Sequence, residues 1–99
     1  MERIKKLGMY AGVQPRSTIM GGIFHRVHGA SADNTPPFKT VQESGLMWGL
    51  GTDAFEVNQY RPFTTLGFAV TGKMVGGDVV NKQTIGREDA LIAHTRSNA

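Results

Sequence analysis

The sequence predicts an α/β fold built on parallel strands, and three observations carry that prediction. A helix, a glycine and a short apolar strand follow one another twice, over residues 2–13 and again over 38–50. Roughly thirty helix-bearing residues separate the two strands, which suits a parallel crossover rather than a hairpin. The second strand, residues 46–50, is a continuous apolar run bounded by Gly45 and closed by the carboxylate of Asp53. Such a run reads as a strand buried on both faces.

Composition sets the limits. The chain has 99 residues, 13 glycines, no cysteine and a net charge of +3. This fits one soluble domain or a piece of one, with no disulfide framework and no cysteine-based metal site. No apolar stretch approaches the ~20 residues of a membrane-spanning helix, and the N-terminus lacks the basic-then-apolar order of a signal peptide. A cytoplasmic protein without a membrane partner is the expectation. The positive charge is scattered apart from Arg3, Lys5 and Lys6, which read as a solvated helix face, so no nucleic-acid partner is expected.

In order, Ile4 and Leu7 share a face at a spacing of three, and Gly8 supplies the left-handed residue that ends a helix. Residues 9–13 form the first strand, stopped by Gln14-Pro15, since proline cannot donate to a sheet ladder. Ile19, Met20, Ile23, Phe24 and Val27 recur at spacings of three and four, an amphipathic helical pattern that continues across Gly21-Gly22. Residues 29–34 are small and polar and read as a loop. Thr35 then stands as an N-cap with Pro36 at the first helical position, and Phe38 and Val41 form the inward face. Met47 and Met74 read as core. Pro62 opens a helix over about 63–74, and Val79-Val80 suggest a short extended piece. Gly86 caps a last helix over 87–98, with Asp89 as its early acidic residue.

Two parallel strands cannot cover both of their faces and both of their edges. The chain starts near the end of one helix and stops inside another, so it reads as part of a longer protein or as one that needs a partner. Asp53, at the C-terminal end of its strand, is the leading site candidate, because ligands in parallel α/β folds gather there. The competing reading is a turn-capping Asx residue.

Several segments resemble a known family. Gly45-Leu46-Met47-Trp48-Gly49-Leu50-Gly51-Thr52-Asp53-Ala54, then residues 58–66, and above all Ile85-Gly86-Arg87-Glu88-Asp89-Ala90-Leu91-Ile92-Ala93-His94-Thr95-Arg96-Ser97-Asn98-Ala99 are similar to the C-terminal part of the metal-dependent amidohydrolases, in the amidohydrolase-3 branch. Leu7-Gly8 with a strand ending at Gln14-Pro15 also looks like that family's seventh strand. The resemblance covers nearly the whole chain and implies a partial (β/α)8 TIM barrel: the last two strand-helix units plus a C-terminal helix, in a single segment over 1–99. It implies hydrolysis of amide or other C–N bonds of a small-molecule substrate. Asp53 would face a divalent metal, zinc first among candidates, and take the proton of the attacking water. A bound divalent ion brings the pKa of its water to ~7, and a carboxylate at hydrogen-bond distance can shuttle the proton to the leaving amine.

The departures from the family pattern count as well. No His-x-His pair occurs, and the family's other metal ligands lie on earlier strands, so the chain alone is expected to hold no metal and to be inactive. His25 and His28 could pair on a helix face, but packing or surface roles are favoured for them, and His94 reads as a packing residue. Arg16 follows the first strand and can reach an acidic substrate group or simply face solvent. Asn58, Gln59, Tyr60 and Arg61 follow the second strand, where substrate contacts are expected. Trp48 and Phe55 read as wall packing. The alternative function is a stand-alone interaction module without catalysis, a homo-oligomer whose copies cover one another's strand edges.

Overall fold

The twice-repeated passage from helix to strand is built on two left-handed glycines. A computed structural model of the protein describes residues 1–54 and 60–99. Helix α1 (Glu2–Lys6) ends at Gly8, whose φ is +67°. The Gly8 N–H donates to Lys5 O at 3.0 Å and the Met9 N–H reaches back to Ile4 O at 3.2 Å, the paired bonds of a Schellman motif. Helix α4 (Phe38–Glu43) ends at Gly45, φ +70°, with a variation. There the Ser44 hydroxyl donates to Val41 O at 2.7 Å and accepts from the Leu46 N–H at 3.2 Å, bridging two groups that the Schellman motif joins directly. The Lys5 ammonium donates to Ser44 O at 3.2 Å and ties the two helix ends together.

From these ends run strands β1 (Ala11–Val13) and β2 (Trp48–Leu50). They pair in parallel, Ala11 beside Trp48, Gly12 beside Gly49 and Val13 beside Leu50. The crossover between them consists of α2 (Arg16–Ile19), α3 (Gly21–His28), a 3-10 turn over Gly29–Asn34, and α4. Helices α5 (Pro62–Thr71) and α6 (Arg87–His94) and a 3-10 turn over Arg96–Asn98 follow β2. The arrangement is α/β. Among the described residues no helix is long and apolar enough to cross a membrane.

The core lies on one face of the sheet. Trp48 and Leu50 of β2 meet Phe38 and Val41 of α4, Ala69 of α5, Ile85, and Ala90 and Ala93 of α6. The alanines matter because a side chain of one carbon lets two helices approach the strand closely. Trp48 stacks at a tilt on Phe38, ring centroids 6.4 Å apart, and its indole N–H finds Gln42 Oε1 at 2.9 Å, so the buried polar atom is satisfied.

A second, polar centre orders the glycine-containing connector of residues 72–85. Asn81, 1% exposed, donates to Pro36 O at 3.0 Å and accepts the Gln83 N–H at 2.7 Å. Gln83 Oε1 in turn accepts from the Thr40 N–H and hydroxyl at 2.8 and 2.7 Å. Gly72, φ +67°, ends α5, and a Cβ there would collide with Asn81 O.

Several elements differ from the sequence expectation. The ladder starts at Ala11 and Trp48, two residues later than either apolar run. Helix α4 starts at Phe38 rather than at Pro36, because Pro37 disfavours helical backbone at the residue before it; Thr35 is extended and does not cap. Residues 29–34 are a 3-10 turn, not an irregular loop. Helix α5 stops at Thr71 because Gly72 turns left-handed, and α6 stops at His94 because Thr95 leaves helical backbone at φ −124°, ψ −86°. The amphipathic segment at 19–27 splits at Met20, and its stripe points outward in part, with Ile23 57% and Val27 70% exposed. Gly21 faces the protein instead, where a Cβ would strike Val80. Met47 is not core: it is 61% exposed on the sheet face opposite Trp48, and Met74 is half-buried. The short extended piece at Val79 is a single antiparallel bridge to Lys73.

The two glycines of α5 and its cap provide a check. Gly72→Ala is expected to lower stability by about 2 kcal/mol or more, from a positive φ and a backbone collision. Gly67→Ala, in the same helix with nothing within 4 Å of its Cβ position among the described residues, is expected to raise stability by roughly 0.5–1 kcal/mol. Unfolding midpoints of the two variants should move in opposite directions.

Candidate functional site

The C-terminal ends of β1 and β2 form the candidate site. Pairing continues one residue past β2, where the Gly51 N–H donates to Val13 O at 2.9 Å. The chain then turns through Thr52 to Asp53, whose φ of +51° is left-handed, a region that aspartate tolerates better than most residues. Asp53 is exposed. It lines a cleft of about 340 Å³ that also takes in residues 12–14, 49–51 and Asn98. Gly12, Gly49 and Gly51 line the cleft with backbone, and a Cβ at Gly12 or Gly51 would meet nothing within 4 Å among the described residues. A carboxylate over a glycine-lined trough can accept a proton or a hydrogen bond from a small molecule lying in it.

A larger cleft, about 610 Å³, lies towards the start of β2 between Gln42, Met47, Asp89 and Arg96. Volume does not select the site. The smaller cleft has the carboxylate at the strand end, where parallel sheets present their ligand groups.

The other expected site residues are dispersed. Arg16 opens α2 after β1; its N–H bonds Gln14 Oε1 at 2.6 Å and its side chain is exposed, outside the lining of the Asp53 cleft. Tyr60 and Arg61 precede α5, the Arg61 guanidinium 5.9 Å from the Tyr60 ring centroid, and neither lines that cleft. Asn58 and Gln59, with Phe55, lie outside the described residues. His25 pairs its Nδ1 with Asp33 at 3.3 Å, and Lys82 approaches the same carboxylate at 3.4 Å. His28 lies 6.0 Å from the Phe24 ring. His94 is half-buried, its Nε2 enclosed without a hydrogen-bond partner among the described residues.

The donor set does not by itself fit a divalent ion. Among the described residues no three His, Asp or Glu side chains gather closely enough to hold one. Asp53 offers a single ligand.

Sequence reasoning missed Asn98 and its companions. Asn98 Nδ2 donates to Leu50 O at 3.0 Å, and its Oδ1 accepts from the Tyr10 hydroxyl at 2.8 Å. The available signal was Gly49, since a glycine inside a strand marks a close approach by another group.

If Asp53 serves chemistry rather than folding, its side chain is dispensable for stability. Asp53→Asn is expected to change stability by less than about 0.5 kcal/mol, since asparagine also accepts left-handed backbone. Asp53→Val is expected to cost about 1–2 kcal/mol through backbone strain alone. Denaturant midpoints of the pair test this ordering.

No curated protein and no solved structure matches the chain. One family model does, over residues 1–99, and on that match the chain belongs to the Amidohydrolase family, in its amidohydrolase-3 branch.

Proposed function

We propose that this chain supplies the seventh and eighth strand-helix units of a (β/α)8-barrel hydrolase, with Asp53 as the proton-accepting carboxylate at the barrel mouth. The carrying observation is the position of Asp53, directly beyond the second of two parallel strands and on the wall of their shared cleft. Membership in a family of generally metal-dependent enzymes that act on small molecules supports the reaction class. Both outer edges of the two-stranded sheet lack a strand partner among the described residues, as expected of adjacent strands taken from a closed barrel.

In this reading water attacks the carbonyl carbon of an amide-type substrate. Asp53 accepts the proton from the water and returns it to the nitrogen as the C–N bond breaks. A divalent metal such as zinc would supply Lewis-acid activation in the complete enzyme, and Asp53 would be one of its ligands. In this reading the remaining ligands come from other strands of the barrel, and the chain alone would be inactive. Arg16, Asn58, Gln59, Tyr60 and Arg61 follow the two strands in the sequence, and in this reading they would contact substrate.

A second reading draws on exposed apolar side chains. Met9 and Met47 are 53% and 61% exposed beside the sheet, and a homo-oligomer could cover them without any catalysis.

Two measurements separate the readings. In an enzyme completed by the missing strands, Asp53→Asn is expected to lower kcat by roughly 10²–10⁴-fold with KM little changed; undiminished turnover would end the proposal. For the 99-residue chain itself, sedimentation is expected to give no closed oligomer of fixed size, and added zinc should not move its unfolding midpoint. A closed oligomer with a sharp transition would favour the interaction module.

A further inference from the structure

Asn98 makes contacts that reach the backbone leading to Asp53. Its Nδ2 donates to Leu50 O at 3.0 Å and to His94 O at 3.2 Å, while its Oδ1 accepts from the Tyr10 hydroxyl at 2.8 Å. The Tyr10 hydroxyl also lies 2.9 Å from Ser97 O. One side-chain amide thus joins the approach to β1, the end of β2 and the end of α6.

The peptide unit it holds is a particular one. Leu50 C=O and Gly51 N–H belong to the same planar group and point in opposite directions. The N–H is bound by Val13 O at 2.9 Å on the β1 side, and the C=O by Asn98 on the other. That plane is therefore held from two sides. It matters because Gly51 is the most conformationally permissive residue before Asp53, with only Thr52 between them, and an unheld glycine would let the carboxylate swing. Asn98 also lines the cleft that contains Asp53.

Gly49 makes room for this arrangement. A Cβ at position 49 would fall on both Asn98 Oδ1 and Tyr10 Oη, whereas the glycine beside it in the register, Gly12, has nothing within 4 Å of its missing Cβ among the described residues. The close approach is confined to the strand that carries Asp53.

We infer that Asn98 is a positioning residue for Asp53, clamping the Leu50–Gly51 peptide through a gap opened by Gly49, with Tyr10 setting the orientation of the amide. Its purpose rests on the reading of Asp53 as the working carboxylate; the clamp itself does not.

The test is residue-resolved hydrogen exchange on the full chain, with Asn98→Asp as the main variant. Aspartate keeps the acceptor for Tyr10 and nearly the same shape but removes both donated bonds. Exchange at the Gly51 amide is expected to accelerate about tenfold, the scale of losing one or two hydrogen bonds, and the Asp53 carboxyl carbon resonance should move. The Ile85 amide, bonded to Ala69 O, and the Ala90 amide, bonded to Gly86 O, should keep their rates. Gly49→Ala should reproduce this local pattern by expelling the amide, and Tyr10→Phe should give a weaker form of it. Equal acceleration at Gly51, Ile85 and Ala90 would reduce Asn98 to a general structural role and overturn the inference, as would an unchanged Gly51. If Asn98→Asp does not fold, the Tyr10→Phe result decides by the same criteria. In a completed enzyme, Asn98→Asp should lower kcat less than Asp53→Asn does, with KM unchanged. Loss of the local exchange pattern would sink the clamp alone, while full turnover of Asp53→Asn would sink the proposed role of Asp53 alone.

Discussion

The parallel pairing of β1 with β2 is the constraint from which the rest of the structure follows. Parallel strands cannot be joined by a tight turn, so the chain must leave the end of β1, travel back along the sheet and re-enter at the start of β2. Each entry into a strand comes out of a helix, and each needs a residue that reverses direction with positive φ. Gly8 and Gly45 supply it. Once the strands lie side by side, the described helices gather the core on one face. Leu50 and Phe38 are wholly buried on that face, while Met9 and Met47 remain in solvent.

The legible parts of the fold were those with a local cause. Gly8, Gly45, Pro62 and Gly86 act on their own helix ends, so their effect can be read from neighbouring residues, and each does mark an end or a start. The inward face of α4 followed from Phe38 and Val41 in the same way. What was not legible depended on distant partners. Gly21 and Gly22 look like weaknesses in a helix; the structure uses Gly21 to bring α3 against Val80. Met47 is as apolar as Leu46, and only the one-sided covering of the sheet explains why one is exposed and the other buried.

The candidate site divides along the same line. Asp53 could be singled out because an apolar strand ending on a carboxylate is a local pattern. The contact between Tyr10 and Asn98 spans 88 positions, and nothing near either residue announces the other. The polar centre at Asn81 is similar. It joins Pro36 and Gln83, and through Gln83 the first turn of α4, so the connector after α5 is ordered by residues on the far side of the crossover.

The facing pair Gly12 and Gly49 also bears on how the two strands find their alignment. Two glycines opposite one another offer no side-chain contact with each other, so on the trough face only the fit of Tyr10 and Asn98 over Gly49 bears on alignment. The apolar discrimination rests on the other face, where Ala11 meets Trp48 and Val13 meets Leu50. A slip of one residue would turn Trp48 and Leu50 out of the core and place Gly49 in it, a heavy loss of apolar burial. The face without side chains at positions 12 and 49 thus leaves the indole of Trp48 and the side chain of Leu50 to carry the apolar cost of a slipped alignment.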